Sequence, residues 1–557
     1  MSTTDCKAKT HKRIVCPWIT EWMRVVEQEK QLVCQEQVML ISYVRRVFAE
    51  EKLYIDTYRL EKYESYQKYF PFDLFHWEKF LFAISMTVFK EDGRPRWSQI
   101  FALLGRGSGK NGLISFIAFC LLTETNGIDR YNVDICATSE EQAKTSFFEV
   151  HDDVLENPKQ ARKMRNNFYW TREVIKNKKT RSELKYRTDN PKSKDGLRSG
   201  AVIFDEVHAY ENWKNLNVFT TGLGKKPHPR RFYFTSEGNV CDGPLDSLKE
   251  RAIRILKGEI ADNGFFPFIC RLDSKDEVHD RRCWVKSVPS LPFFPDVEEE
   301  MITEYGEYLE DPINNSEFMT KRMGLRESQT EVAVTSWENI KATSKEVPDL
   351  SGWECVLGLD LARTTDFISA SLVFRRDEQY YAINHSWFCV NSPHRKAIKA
   401  PLDEWHNAGF ITLVDDVEVP PEIVIDWVRA QMSLYSILGV ALDSYRFSIF
   451  SRLLDDLGFS VKDKTIKLLR PSDIMLVQPK ITSAFAKQRI SWGNDPAMRW
   501  FTNNAKLEPA KNNNYTYGKI EPKSRKTDGF MAFVAGMCIE DMIPEFVPYE
   551  FFAPVFF

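Results

Sequence analysis

The stretch GRGSGKN at residues 105–111 holds the residue types of a phosphate cradle. Gly105, Gly107 and Gly109 let backbone amides turn toward an anion, and the apolar run that follows predicts a helix whose N-terminus adds a positive dipole end. Lys110 would then reach the β- and γ-phosphates of a nucleoside triphosphate. Two positions depart from the usual loop: Leu104 stands where its first glycine falls, and Asn111 replaces the hydroxyl that normally meets Mg²⁺. A Gly-rich surface turn is the alternative reading. The run AVIF at 201–204, ending in Asp205 and Glu206, decides for the cradle. A buried strand would deliver Asp205 to the sheet edge to hold Mg²⁺ through water, and Glu206 would polarise the attacking water. A third run, FYFTSEG at 232–238, ends a strand in Thr235 and Ser236. Those hydroxyls suit either a sensor of hydrolysis or a capped turn.

A second set of carboxylates lies in the other half. Asp360 ends the apolar run VLGLD, Asp443 ends GVALD, and Asp528 opens an apolar helix. Carboxylates on buried strands repel one another and are costly to desolvate unless a cation neutralises them. Two strand aspartates and one at a helix start suit a nuclease of the RNase H type, in which two Mg²⁺ or Mn²⁺ ions activate water and steady the leaving oxygen. Strands often end in Asp, so spacing alone is weak evidence for any one of the three.

The elements that must position these residues follow from periodicity. Residues 1–65 read as a helical N-terminal extension, with apolar residues recurring at three and four from Trp18 to Val47. From Trp97 apolar strands alternate with helices, which predicts an α/β domain with a largely parallel sheet over 66–325. The polar, weakly periodic stretch 326–352 reads as a linker. A second α/β domain is expected over 353–545, with strands at 354–360, 367–374 and 380–387, followed by a Pro- and Phe-rich tail at 546–557.

Bulk composition agrees with this division. The chain has 557 residues, 43% of them hydrophobic, which is too much for one ordinary core and ample for two. The net charge of −3 does not announce a nucleic-acid binder, so contacts to DNA must come from local basic patches. Residues 176–198, the group Lys225, Lys226, Arg230 and Arg231, and the group Lys519, Lys523, Arg525 and Lys526 are the candidates, although such a cluster alone is more often a solvated loop. Lys523, Arg525 and Lys526 precede Asp528 and are the preferred contacts to a phosphate backbone. Eleven scattered cysteines without a CxxC pair read as reduced thiols, and no apolar run spans a bilayer, so a soluble intracellular protein is expected.

In this order, the stretches GRGSGKNGLIS, ICATSEEQAK, VIFDEVHAY and FYFTSEGN, then SWENI, GLDLARTTDF, ALDSYR, MRWFTNNAKL and KTDGFMAFVAGM, resemble the large terminase subunits of HK97-type tailed bacteriophages. The resemblance covers about residues 70–540. It implies a P-loop ATPase domain of the ASCE type followed by an RNase H-like nuclease domain. The activity implied is ATP-driven movement of double-stranded DNA into a prohead, with cleavage of concatemeric DNA. By position, Gly105, Arg106, Gly107, Ser108, Gly109, Lys110, Asn111 and Asp205 would bind ATP and its Mg²⁺. Glu206 would be the hydrolytic base, Thr235 and Ser236 the coupling motif, and Asp360, Asp443 and Asp528 the ligands of Mg²⁺ or Mn²⁺. The adenine-contacting segment, usually with a Gln after Trp, reads Phe75-His-Trp-Glu78. Implied partners are a small terminase subunit, the portal protein of the prohead and further copies in a ring. The implied location is the host cytoplasm, transiently at the portal and not in the mature virion. The alternatives are a helicase-nuclease of recombination and a catalytically silent prophage docking protein.

Overall fold

The computed structural model describes residues 16–187, 198–312, 314–327, 333–361, 367–392, 395, 398, 400–416, 418–444, 447–510, 514–520 and 524–545. The chain divides into two compact units, 1–327 and 328–557.

In the first unit, β1 (Leu53–Ile55) and β2 (Val88–Lys90) form a small antiparallel pair. The main sheet contains β3 (Gln99–Leu103), β4 (Asn132–Cys136), β5 (Phe168–Trp170), β6 (Ile175–Asn177), β7 (Glu183–Arg187), β8 (Ser199–Phe204), β9 (Arg230–Thr235) and β10 (Phe265–Ile269). Their order is β10-β3-β9-β8-β4-β7-β6-β5, parallel from β10 to β7, with β6 and β5 added antiparallel at one edge. Parallel strands covered on both faces read as continuous apolar runs, and every residue of β8 is buried. The helix Lys110–Leu122 is apolar all round for the same reason and lies almost wholly buried. β9 is inserted between β3 and β8, so the ends of these three strands form one edge.

The N-terminal helices are part of this unit's core. Helix Pro17–Glu27 buries Trp18, Ile19, Trp22, Met23 and Val26 in the core that also contains Phe266 and Phe268 of β10. Trp22 Nε1 donates to Gln37 Oε1 at 3.0 Å, and Gln37 Nε2 donates to the Ile269 carbonyl at 2.8 Å. A smaller separate core, built around Leu272, Trp284, Met301, Phe318 and Met323, closes residues 272–325 into a module of their own.

In the second unit, β11 (Glu354–Asp360), β12 (Phe367–Arg376), β13 (Gln379–Cys389), β14 (Ile411–Val414), β15 (Ser436–Asp443), β16 (Ile466–Leu469) and β17 (Ile490–Ser491) form a mixed sheet. Its order is β14-β13-β12-β11-β15-β16, with β17 beside β13. The β11–β12–β13 meander is antiparallel, and β15 runs parallel to β11. The polar stretch expected to be a linker contributes to this unit: Val334, Trp337, Ile340 and Leu350 are buried. Ser336 Oγ caps the short helix Trp337–Ala342 by accepting from the Asn339 amide. Too few apolar residues lie in that stretch for their periodicity to show.

Among the described residues no helix is long and apolar enough to cross a membrane, and the described cysteines form no disulfide.

Candidate nucleotide and metal sites

The C-terminal edge of the parallel sheet gathers the first site, where ligands of open α/β sheets bind. Leu103 is in register with Thr235, and Phe204 with Tyr233, so the loop after β3, the carboxylates after β8 and the hydroxyls ending β9 stand side by side. Gly107 and Gly109 take φ of 96° and 92°, a region open to glycine without strain, and Lys110 starts the helix with its side chain buried.

Not every amide of the loop is available for phosphate. Gly105 N–H donates to the Ser287 carbonyl at 2.9 Å and Arg106 N–H to the Lys321 carbonyl at 2.7 Å. A Cβ at Gly105 would collide with the Arg322 carbonyl, so only glycine permits this approach. The Ser108 amide and hydroxyl both turn back to the Gly105 carbonyl, at 3.3 and 2.6 Å. The cradle expected over 105–111 therefore narrows to the amides of Gly107 and residues 109–111. Gly105 and Arg106 bind the loop to the protein, a tertiary role invisible in the motif. From the other side, Trp77 Nε1 donates to Ser290 Oγ, which donates to the Ser108 carbonyl, both at 2.8 Å.

Asp205 is buried and its carboxylate accepts the Glu206 amide at 2.9 Å. Its pKa stands raised to about 7, through burial first and then the neighbouring Glu206 charge, with Lys110 opposing. Glu206 has φ 53°, a left-handed conformation that costs a non-glycine residue of order 1–3 kcal/mol and persists only where the surroundings enforce it. Burial works against its charge, but His208, Lys110 and Lys321 outweigh burial and draw it down to about 2. Its Oε2 lies 2.9 Å from His208 Nδ1. Thr235 and Ser236 are buried, and the His208 amide donates to Thr235 Oγ1 at 3.0 Å. Glu78 caps the Phe75 amide at 2.9 Å beside Gly109, and burial raises its pKa to about 8.

Three residues of this site carry no role in the motif reading. His208 lies inside the run VIFDEVHAY, whose pattern gives it no role. Glu149 is raised by burial, receives the Ser115 hydroxyl and adds to the shift of Asp205. Lys321 is distant in sequence and belongs to no motif. Its pKa is lowered to about 8, by burial first and by Arg106 and Lys110, with Glu206 opposing.

Two of the second set, Asp360 and Asp443, lie on one face of the mixed sheet. Leu359 is in register with Leu442, so Asp360 and Asp443 end neighbouring parallel strands. Side chains alternate along a strand. Asp360 therefore shares its face with Val356 and Gly358, and Asp443 with Ala441, whereas Leu359 and Leu442 line the other core. Helix Asp528–Met537 packs on the first face: Gly358 has no room for a Cβ beneath the Ala532 carbonyl, and Gly536 lies against Val373, the partner of Val356. The helix thus runs opposite to β11, its first residue toward the strand end that carries Asp360. Asp528 is 1% exposed, with Lys519 Nζ 3.8 Å from Oδ1. Among the described residues, however, no group of three or more His, Cys, Asp or Glu side chains is placed to hold a metal ion, so the structure does not draw Asp360, Asp443 and Asp528 into the expected cluster. The donors are all carboxylate oxygens, the type that suits Mg²⁺ and Mn²⁺.

The expected basic contacts fare unevenly. Lys526 is 7% exposed and Arg525 half-buried, while Lys523 lies outside the described residues. Arg230 is buried, with Nε donating to the Ser85 carbonyl at 3.3 Å, so it belongs to the core and not to a surface patch. Within 176–198, Lys176 and Lys185 pair with Glu183 at 2.8 and 2.9 Å, and Arg187 with Asp134 at 2.9 Å.

Comparison with known proteins adds the family. Residues 76–254 match the family model described as the ATPase domain of the terminase large subunit, and residues 259–538 match that of its endonuclease domain. The second match begins inside the first structural unit and takes in β10 and the module at 272–325. The terminase large subunits of Lactococcus phages p2 and SK1 are each 23% identical over 440 residues, covering 77% of this chain and 79% of theirs. The crystal structure of the HK97 bacteriophage large terminase aligns over 84% of this chain and 95% of its own, at 17% identity and TM-score 0.46.

Proposed function

Because this chain belongs to the family of phage terminase large subunits, we propose that Lys110, Asp205 and Glu206 carry its ATP hydrolysis, and Asp360, Asp443 and Asp528 its DNA cleavage. The protein is an ATPase and an endonuclease of DNA packaging, using nucleotide and divalent metal. The observation that carries the ATPase assignment is the shared strand edge of the 105–111 loop, Asp205–Glu206 and Thr235. The free amides of the loop and Lys110 hold the phosphates. Asp205, with Asn111 beside the loop, would hold Mg²⁺, which when bound offsets charge on the phosphate oxygens. Glu206, kept ionised at neutral pH, orients the attacking water and polarises it toward the γ-phosphorus. Thr235 and Ser236 receive the change through His208.

In the second unit Asp360 and Asp443 end neighbouring strands and Asp528 begins the helix packed on that sheet; these three carboxylates would hold Mg²⁺ or Mn²⁺, the ions supplying charge stabilisation for phosphodiester cleavage. The partners that follow from the family are double-stranded DNA, a small terminase subunit, the prohead portal and further copies of this chain in a ring. The place of work is the host cytoplasm.

Glu206→Gln tests the ATPase assignment. It should bind a non-hydrolysable ATP analogue normally while turnover falls by about 10²-fold or more. Wild-type turnover in that variant would refute Glu206 as the base.

A further inference from the structure

Lys321 is a lysine that the ATP site receives from outside the sheet. It sits on the segment Phe318–Arg322, in the module with its own small core, and is 8% exposed. Its carbonyl accepts the Arg106 amide, so the segment is fastened directly to the phosphate loop. Arg322 reinforces the junction by donating to the Arg106 carbonyl at 3.1 Å and clamping Glu304 at 2.7 Å. Burial disfavours the charged ammonium, Arg106 and Lys110 add repulsion of like sign, and Glu206 and Glu317 are the acids that counter them. Its described hydrogen bond is to a backbone oxygen, the Glu237 carbonyl at 3.2 Å. A buried cation beside two others is tolerable when an anion joins them, and a triphosphate is that anion.

We propose that Lys321 is a γ-phosphate-binding lysine that reports ATP occupancy to Glu237. This rests on the assignment of the 105–111 loop as the ATP site. Glu237 follows Thr235 and Ser236 directly, and its buried carboxylate is held by Lys249 at 2.6 Å and Arg326 at 3.3 Å. Arg326 also grips Asp246 and the carbonyls of Gly238 and Val240, immediately before the chain leaves the first unit. When the γ-phosphate is present, the Lys321 ammonium exchanges the Glu237 carbonyl for phosphate oxygen. When it is gone, the ammonium returns, and Glu237 and Arg326 register the difference.

Binding of ATPγS and of ADP, each with Mg²⁺, to full-length wild type, Lys321→Met and Lys321→Arg tests the proposal. Lys321→Met should weaken ATPγS by about tenfold or more, the scale of a lost charged hydrogen bond, and ADP by less than about threefold. Lys321→Arg should recover most of the ATPγS affinity. Equal weakening of both nucleotides, or unchanged ATPγS binding, overturns the γ-phosphate role. Should Lys321→Met fail to fold, Lys321→Arg and Lys321→Gln give the same comparison, the charge-keeping variant alone retaining the preference. Wild type that binds neither nucleotide overturns the site assignment, whereas wild type that discriminates equally with Lys321→Met overturns the lysine alone.

Discussion

Glu206 Oε2 lies 2.9 Å from His208 Nδ1, and the His208 amide reaches Thr235 Oγ1 at 3.0 Å. One residue therefore joins the Glu206 carboxylate to the end of the neighbouring strand. Glu206 is held in a left-handed conformation at this junction, so its aim depends on the contact.

His208→Ala should lower kcat for ATP by about tenfold, the scale of a hydrogen bond to a charged group. KM should change little, because the phosphate loop is untouched. Steady-state kinetics decide this: a variant altered in KM alone would show that His208 serves binding and not the aim of Glu206.

Glu78 sets a pH dependence of stability. Burial raises its pKa from 4.5 to about 8, so between those values the folded chain keeps a proton that the unfolded chain has lost. The contribution is complete below about pH 4.5 and is lost as pH rises toward 8. Glu78→Gln keeps an acceptor for the Phe75 amide but has no charge to bury. Its melting temperature should fall less than that of wild type between pH 6 and 8.5, with a gain of up to a few kcal/mol at the higher pH. Parallel melting curves for the two proteins would sink the assignment.

Asp443→Ala and Asp360→Asn should each reduce plasmid cleavage in Mg²⁺ or Mn²⁺ by about a hundredfold or more, since even outer-shell partners of a metal cost 10- to 100-fold. ATP turnover should persist in both. Excess EDTA should stop cutting by wild type. Undiminished cleavage by Asp443→Ala would remove this face of the sheet from the reaction.

Gly358→Ala tests the seat of the helix that carries Asp528. The added methyl meets the Ala532 carbonyl and Gly536 amide. Overpacking of this kind costs about 1–3 kcal/mol and shifts backbone. Cleavage should fall with the stability of the second unit while ATPase activity holds. A variant with wild-type melting and cutting would mean that the helix packs elsewhere.

Local signals were legible wherever residue type and strand burial coincide. The loop 105–111 needs glycines at fixed places, and buried parallel strands leave long apolar runs such as 201–204 before a polar end. From these the two α/β units, the glycine-rich loop before a buried helix, Asp205 and Glu206 at a strand end and the strand ends at Asp360 and Asp443 could be read. The helix Trp337–Ala342 could not, because Trp337 and Ile340 are too few to set a period. Lys526, read as a surface charge, is buried, since a basic run does not say which way its members point.

The sequence alone thus determined the order of the units and the chemistry on each strand end, because these follow from alternation, glycine placement and charge. Only the tertiary structure decided that β9 separates β3 from β8, that Gly105 and Arg106 bind the protein instead of a phosphate, and that Lys321 joins the site. These depend on which distant segments share a buried volume, and no local pattern of residues encodes that.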